Sequence, residues 1–177
     1  FGRFLFKGAT NTTWSQFANG LTLDAASGNT VVELQGDNQG TSGLFTTDIT
    51  GTVTLGGSGA VPFLRLYQAD AFSNLQISGP VVMKANTTIH NSGAAANQQV
   101  NVISGVISEN GDSFGLSVNG DAAWASTNYQ VLRLDAANTF TGPFSLAAGT
   151  VEFTTVTNAG GAASNLGQGS SINLGGT

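Results

Sequence analysis

Cysteine is absent from the 177 residues, and histidine and methionine occur once each. Without thiols there is no disulfide framework, no Cys-based zinc site and no thiol nucleophile. With His90 as the single imidazole, no second soft ligand completes a transition-metal site. Charge is also scarce. Five Lys/Arg and ten Asp/Glu make up 8% of the chain, against roughly 25% in an ordinary soluble domain. So few basic residues cannot build the basic face of a nucleic-acid binder, and a net charge of -5 gives little attraction to nucleic acid or anionic lipid. Apolar runs stop at three or four residues, far short of the roughly 20 that a membrane span needs, so membrane insertion is not expected. Glu, Lys and Leu are too sparse for heptads, which excludes a coiled coil or helical bundle.

In place of charge the chain carries 25 Gly, and Ser, Thr, Asn and Gln together number 62. Leu, Ile, Val and Phe make up about a quarter of the residues, enough to order one domain with a core. The dominant signal is alternation with period two, in short stretches of about three to five residues. It runs through Leu21–Leu23, Val31–Leu34, Val53–Leu55, Phe63–Tyr67 and Leu75–Ile77. It resumes in Val100–Val102, Leu116–Val118, Val131–Leu134, Val151–Phe153 and Ile172–Leu174. Asn19-Gly20, Asn110-Gly111 and Asn119-Gly120 are turn dipeptides that tolerate positive φ. Pro62, Pro80 and Pro143 sit beside strand ends, where a lost N–H does least harm. Only Asp121–Gln130 has helical propensity; lacking an apolar stripe, it reads as an irregular insert.

The strands repeat loosely. Val32-Glu33-Leu34, Leu64-Arg65-Leu66 and Leu132-Arg133-Leu134 each lead through an Asn/Asp turn to a Gly-x-Val-x-apolar or similar strand, at 51–55, 79–83 and 149–153. Stacked coils place equivalent strands about 4.8 Å apart. Like charges then oppose one another unfavourably, whereas Ser, Thr, Asn and Gln stack without that penalty and can hydrogen-bond along the stack. Low charge, abundant Gly and Asn, and very short strands therefore point to an all-β fold, a parallel β-helix or β-solenoid, with a β-sandwich or jelly roll as the alternative.

Val102-Ile103-Ser104-Gly105-Val106-Ile107-Ser108, Leu132-Arg133-Leu134, Asn138-Thr139-Phe140-Thr141-Gly142, Ala148-Gly149-Thr150-Val151 and Gly169–Thr177 follow one another in an order and spacing that resembles the autotransporter-associated β-strand repeat. The likeness covers roughly Val102–Thr177 and decays upstream. It implies a right-handed parallel β-helix within a large secreted or surface-displayed bacterial passenger protein, whose repeat is structural and carries no catalytic residues. One departure is the longer Asn119–Gln130 segment before Leu132, expected to protrude as a loop. Phe1 and Thr177 each fall inside an alternating pattern, so residues 1–177 are expected to form one continuous solenoid segment of a longer or processed chain.

Few residues invite a chemical reading. Glu33 with Asp37, and Glu109 with Asp112, are close acid pairs of the kind that serve glycoside hydrolysis. Glu33, opposite in phase to Val32 and Leu34, is expected to face solvent, and both pairs read as solubilising rim residues. Glu109, Asn110 and Asp112 lack the spacing of a calcium loop. His90 reads as a surface turn residue. Trp14 and Trp124 read first as residues that cap or plug the core; they could also stack on sugars, and Trp124 with Tyr129, both in the insert, forms the candidate glycan contact. The Gly-rich runs at 56–59 and 160–161 lack the Lys-Ser/Thr and helix of a phosphate loop. Asn11-Thr12-Thr13 and Asn86-Thr87-Thr88 are sequons that an Asn/Thr-rich chain produces by chance. The expected function is a non-catalytic structural module, extracellular or at the bacterial cell surface: a stalk, adhesin passenger or filament subunit, pairing head to tail with itself or with neighbouring repeats. The alternatives are a glycan-binding module and a polysaccharide-active β-helix protein. No enzyme activity, cofactor, metal or nucleic-acid partner is expected.

Overall fold

The computed structural model describes residues 2–7, 12–24, 31–37, 45–57, 63–68, 73–93, 99–120, 130–158 and 160–175. Among these there is no helix; seventeen strands wind into a parallel β-solenoid. Sheet A has seven strands: β1 (Gly2–Lys7), β4 (Val31–Asp37), β7 (Phe63–Gln68), β10 (Thr87–Gly93), β13 (Leu116–Gly120), β15 (Phe144–Leu146) and β17 (Ile172–Leu174). Sheet B has six: β2 (Thr12–Gln16), β5 (Phe45–Ile49), β8 (Ser73–Ile77), β11 (Gln99–Ile103), β14 (Gln130–Leu134) and β16 (Thr150–Glu152). Sheet C has four: β3 (Leu21–Leu23), β6 (Val53–Leu55), β9 (Val81–Met83) and β12 (Ile107–Glu109). Each of the first four coils contributes one strand to every sheet, and every pairing between the strands is parallel.

The register shows why period-two sequences adopt this form. Val32, Leu64, Ile89, Val118, Leu146 and Leu174 lie over one another in sheet A. Ile49, Ile77, Ile103 and Leu134 do so in sheet B, and Val53, Val81 and Ile107 in sheet C. Alternate residues point inward, so each strand from β3 to β15 adds one or two apolar side chains to a single continuous core. Ile49, Leu64, Ile77, Ile89 and Ile103 are at most 1% exposed, each worth roughly 1.5–3 kcal/mol of burial.

The corner between sheets B and C is the tightest. Gly51, Gly79 and Gly105 occupy equivalent turn positions, and a Cβ on any of them would overlap backbone of the preceding coil: Phe17 O, Gly51 O and Gly79 O respectively. Glycine is required here because the backbones of successive coils touch.

Three expectations change. The third sequence repeat is not an equivalent of the first two. Leu132-Arg133-Leu134 belongs to sheet B, opposite Asn101, Val102 and Ile103, whereas Val32–Leu34 and Leu64–Leu66 belong to sheet A. Apolar-x-apolar strands occur in all three sheets, such as β7 in sheet A, β14 in sheet B and β6 in sheet C, so a match in pattern does not tell which side of the coil a strand occupies. Strands also run longer than three to five residues in sheet A, where β4 and β10 have seven. The insert is narrower than 119–130: Asn119 and Gly120 complete β13, and Gln130 opens β14. The rest of that segment, including Trp124 and Tyr129, lies outside the described residues.

Candidate functional site on the outer face of sheet A

The outward residues of β1, β4, β7, β10 and β13 form rows across the coils. One row reads Arg3, Glu33, Arg65, His90, Asn119. It places one carboxylate between two guanidinium groups. Arg65 Nη1 donates to Glu33 Oε2 at 2.8 Å, and Arg3 Nε lies 2.6 Å from Glu33 Oε1. The Arg3 contact is an ion pair without aligned hydrogen-bond geometry; the Arg65 contact has both. The Glu33 side chain is consequently 0% exposed. The expectation that it faces solvent is overturned: it does point away from the core, but the arginines of the two neighbouring coils cover it. Lys7 and Asp37 occupy matching positions at the far end of the same two strands. Opposite charges thus stack where like charges would repel.

Around this row lies an aromatic surface. Arg65 Nε donates to Ser92 Oγ at 2.8 Å, and its guanidinium sits 4.7 Å from the Tyr67 ring centre, a cation–π arrangement. The Phe63 and His90 rings stack, 5.7 Å apart and 26° from parallel. Val31, Phe63, Arg65 and His90 line an open recess of about 280 Å³. His90 therefore sits mid-strand in β10, half-buried against Phe63, and not in a turn. The patch escapes sequence reasoning because its members come from three coils; the available signal was Glu33 and Arg65 at the same point of two aligned repeats.

Two further acids are staples. Asp48 accepts from Ser78 N at 3.1 Å and Ser78 Oγ at 2.9 Å, one coil away. Glu109 accepts from Phe114 N at 2.8 Å and from Thr141 N at 2.9 Å and Thr141 Oγ1, while Asp112 is exposed. Glu33, Asp48 and Glu109 therefore lie on sheets A, B and C. Among the described residues no three His, Asp or Glu side chains gather into a metal-sized group. No described helix is long and apolar enough to cross a membrane. Trp14 lies in β2, paired with Thr47 of β5. Asn86 Oδ1 accepts from Gly115 N at 2.8 Å and Thr87 is buried, so this sequon is built into the strand edge.

Within the segment Val102–Thr177, side-chain bonds join the strands in holding the coils together. In the fifth coil, sheet C is replaced by an irregular stretch in which Asn138 Oδ1 accepts from Ile107 N at 2.7 Å and Thr139 N donates to Ile107 O at 2.9 Å. Phe140 is fully buried, Thr141 meets Glu109, and Gly142 packs onto the Phe114 backbone where a Cβ would not fit. Asn138 Nδ2 donates to Asn165 O at 2.6 Å, and Asn165 Nδ2 to Ala136 O at 2.8 Å. Asn165 Oδ1 in turn receives Thr154 N at 2.9 Å and Thr155 N at 2.8 Å. No family model, curated protein or solved structure matches this chain.

Proposed function

We propose that the chain is a non-catalytic structural module of an extracellular or cell-surface bacterial protein, a stalk, adhesin passenger or filament element in which stacked coils set length and stiffness. The observation that carries this reading is the use of the charged groups. Glu33, Asp48 and Glu109 are each spent on a neighbouring coil. A solenoid contacting only its nearest coils needs such inter-coil bonds for stability. Their scatter over three sheets favours this over a polysaccharide-active β-helix, which would gather its acids on one face. The resemblance of Val102–Thr177 to the autotransporter-associated repeat supports the surface location, and the residues in that segment have structural duties.

The test is to shorten the rod. Leu64 and Ile89 share a register, so deleting residues 64–88 removes one coil and sets His90 beside Glu33. A spacer keeps its surface display and whatever adhesion it supports, on a rod shorter by about 4.8 Å. A folded deletion protein that has lost adhesion overturns the spacer reading, and absence of the protein from protease-shaved or antibody-labelled cell surfaces overturns the location.

A second reading, a glycan-binding module, is favoured by the recess of Val31, Phe63, Arg65 and His90. An aromatic floor with polar edges suits a pyranose face. It is tested on glycan arrays with Phe63→Ala beside Trp124→Ala and Tyr129→Ala; loss of retention in a folded variant identifies which surface is used.

A further inference from the structure

Three Asn-Gly pairs share the same chemistry and differ in how the fold holds them. Asparagine followed by glycine is prone to intramolecular attack: the glycine amide nitrogen bonds to the asparagine Cγ and a five-membered succinimide closes. The side-chain nitrogen leaves as ammonia, carrying the proton lost from the glycine N–H. Water then adds to either imide carbonyl and opens the ring to aspartate or isoaspartate. The step needs a glycine N–H that is not already bonded, and a backbone free to bring that nitrogen onto Cγ.

At the first pair, Gly20 N donates to Phe17 O at 2.8 Å within the turn. At the C-terminal end of β13, Gly120 is buried and a Cβ on it would sit 3.0 Å from the Gly149 Cα, so although its N–H reaches Asn119 Oδ1 at 2.9 Å the backbone has no room to turn the nitrogen onto Cγ. The strand itself is pinned between β10 and β15. The third pair is the open one. Asn110, Gly111, Asp112 and Ser113 are all exposed, Gly111 has a φ of 111°, and nothing lies within 4 Å of where its Cβ would be. The bend is anchored only at its ends, by Asn110 N donating to Met83 O at 3.0 Å and Phe114 N donating to Glu109 Oε2 at 2.8 Å.

We propose that Asn110 is a site of spontaneous deamidation in the folded protein, and that the fold protects Asn19 and Asn119 from the same reaction. The product places a third carboxylate in the Glu109–Asp112 segment. In its isoaspartate form it also adds a methylene to the main chain between Glu109 and Phe114, two groups that bond each other across this bend. Conversion therefore acts on the staple from Glu109 to Phe114 and Thr141.

The experiment is peptide mapping by mass spectrometry after incubation of the whole chain at mildly alkaline pH, folded and in urea, with isoaspartate resolved chromatographically. Folded, Asn110 converts about tenfold faster or more than Asn19 and Asn119, because the held sites must first open locally. In urea the three rates converge, since the reacting dipeptide is identical. Asn110→Gln removes the fast-forming product, and aged wild-type protein exchanges its Phe114 and Thr141 amide hydrogens faster than that variant. Conversion of Asn19 or Asn119 as fast as Asn110 in the folded chain overturns the proposal. So does an Asn110 that stays intact in the folded chain while converting in urea.

Discussion

Sheet C is built in two ways. In the first four coils it is a regular strand, with Val53, Val81 and Ile107 in register and backbone bonded to backbone. In the fifth coil the same side of the solenoid has no strand. A single antiparallel bridge joins Asn138 to Ser164, and the Asn138 side chain stands in for the missing peptide group by accepting from Ile107 N. The regular part depends on repetition: any coil offers the next the same row of donors and acceptors. The irregular part depends on particular amides, with Asn138 and Asn165 each supplying several bonds that backbone would otherwise provide. Buried polar groups of this kind are stabilising only while every partner is present, so the two regions should fail differently.

The largest effect is expected in the regular region, at its tightest contact. Gly105→Ala should abolish folding or cost about 4 kcal/mol or more, because backbone cannot yield as a side chain can; Gly111→Ala, in open space, should cost only about 1 kcal/mol of backbone strain. Circular dichroism melts of the two separate steric overlap from strain, and equal losses would remove the inter-coil contact as the cause. In the irregular region, Phe140→Ala should cost about 3–5 kcal/mol. Asn138→Ala should cost about 2–3 kcal/mol by stranding the buried Ile107 N–H and Asn165 C=O. If amide exchange in aged-matched samples shows β12 unprotected in Asn138→Ala while β6 stays protected, the failure is local, as nearest-neighbour coupling requires; a uniform loss of protection argues against it.

On the outer face, Glu33→Ala leaves two guanidinium groups facing each other and should cost about 3 kcal/mol. Chemical denaturation of Glu33→Ala with and without Arg65→Ala measures the coupling, and strict additivity would mean the stacked pair contributes nothing. Smallest of all is Asp135→Asn. The Arg133–Asp135 pair, 3.1 Å apart, has both side chains more than a third exposed, and its loss should stay within about 0.5 kcal/mol.

Most of the stacked architecture is readable from period-two strands and low charge. Strands that alternate apolar residues, such as β4, β7 and β14, stand out at once. Strand β10 does not, because its inward positions are Thr87, Ile89 and Asn91, and two of the three are polar. Thr87 is tolerated because its Oγ1 donates to Ala85 O at 3.0 Å, and Asn91 because its Oδ1 receives Asn101 Nδ2 at 2.7 Å, while Asn101 Oδ1 receives Gln68 Nε2 at 2.6 Å. That chain of amides joins residues from different coils and has no local signature. Similarly, β12 shows only Ile107 pointing inward, since Glu109 turns to bond Phe114 and Thr141. The outer patch is hidden for the same reason: Phe63, Arg65 and His90 become neighbours only after the chain has completed a circuit.

The glycine seam has one more consequence. Between sheets B and C, three residues separate β5 from β6, β8 from β9 and β11 from β12, against four between β2 and β3, while the connections at the other two corners run from three to nine residues. The molecule is thus bound like a book along one edge. Additions can fan out from the opposite margins like pages of unequal width, whereas past the first coil the spine keeps one thickness. Engineered tags or grafted loops belong at the margins, and the binding must be left as it is.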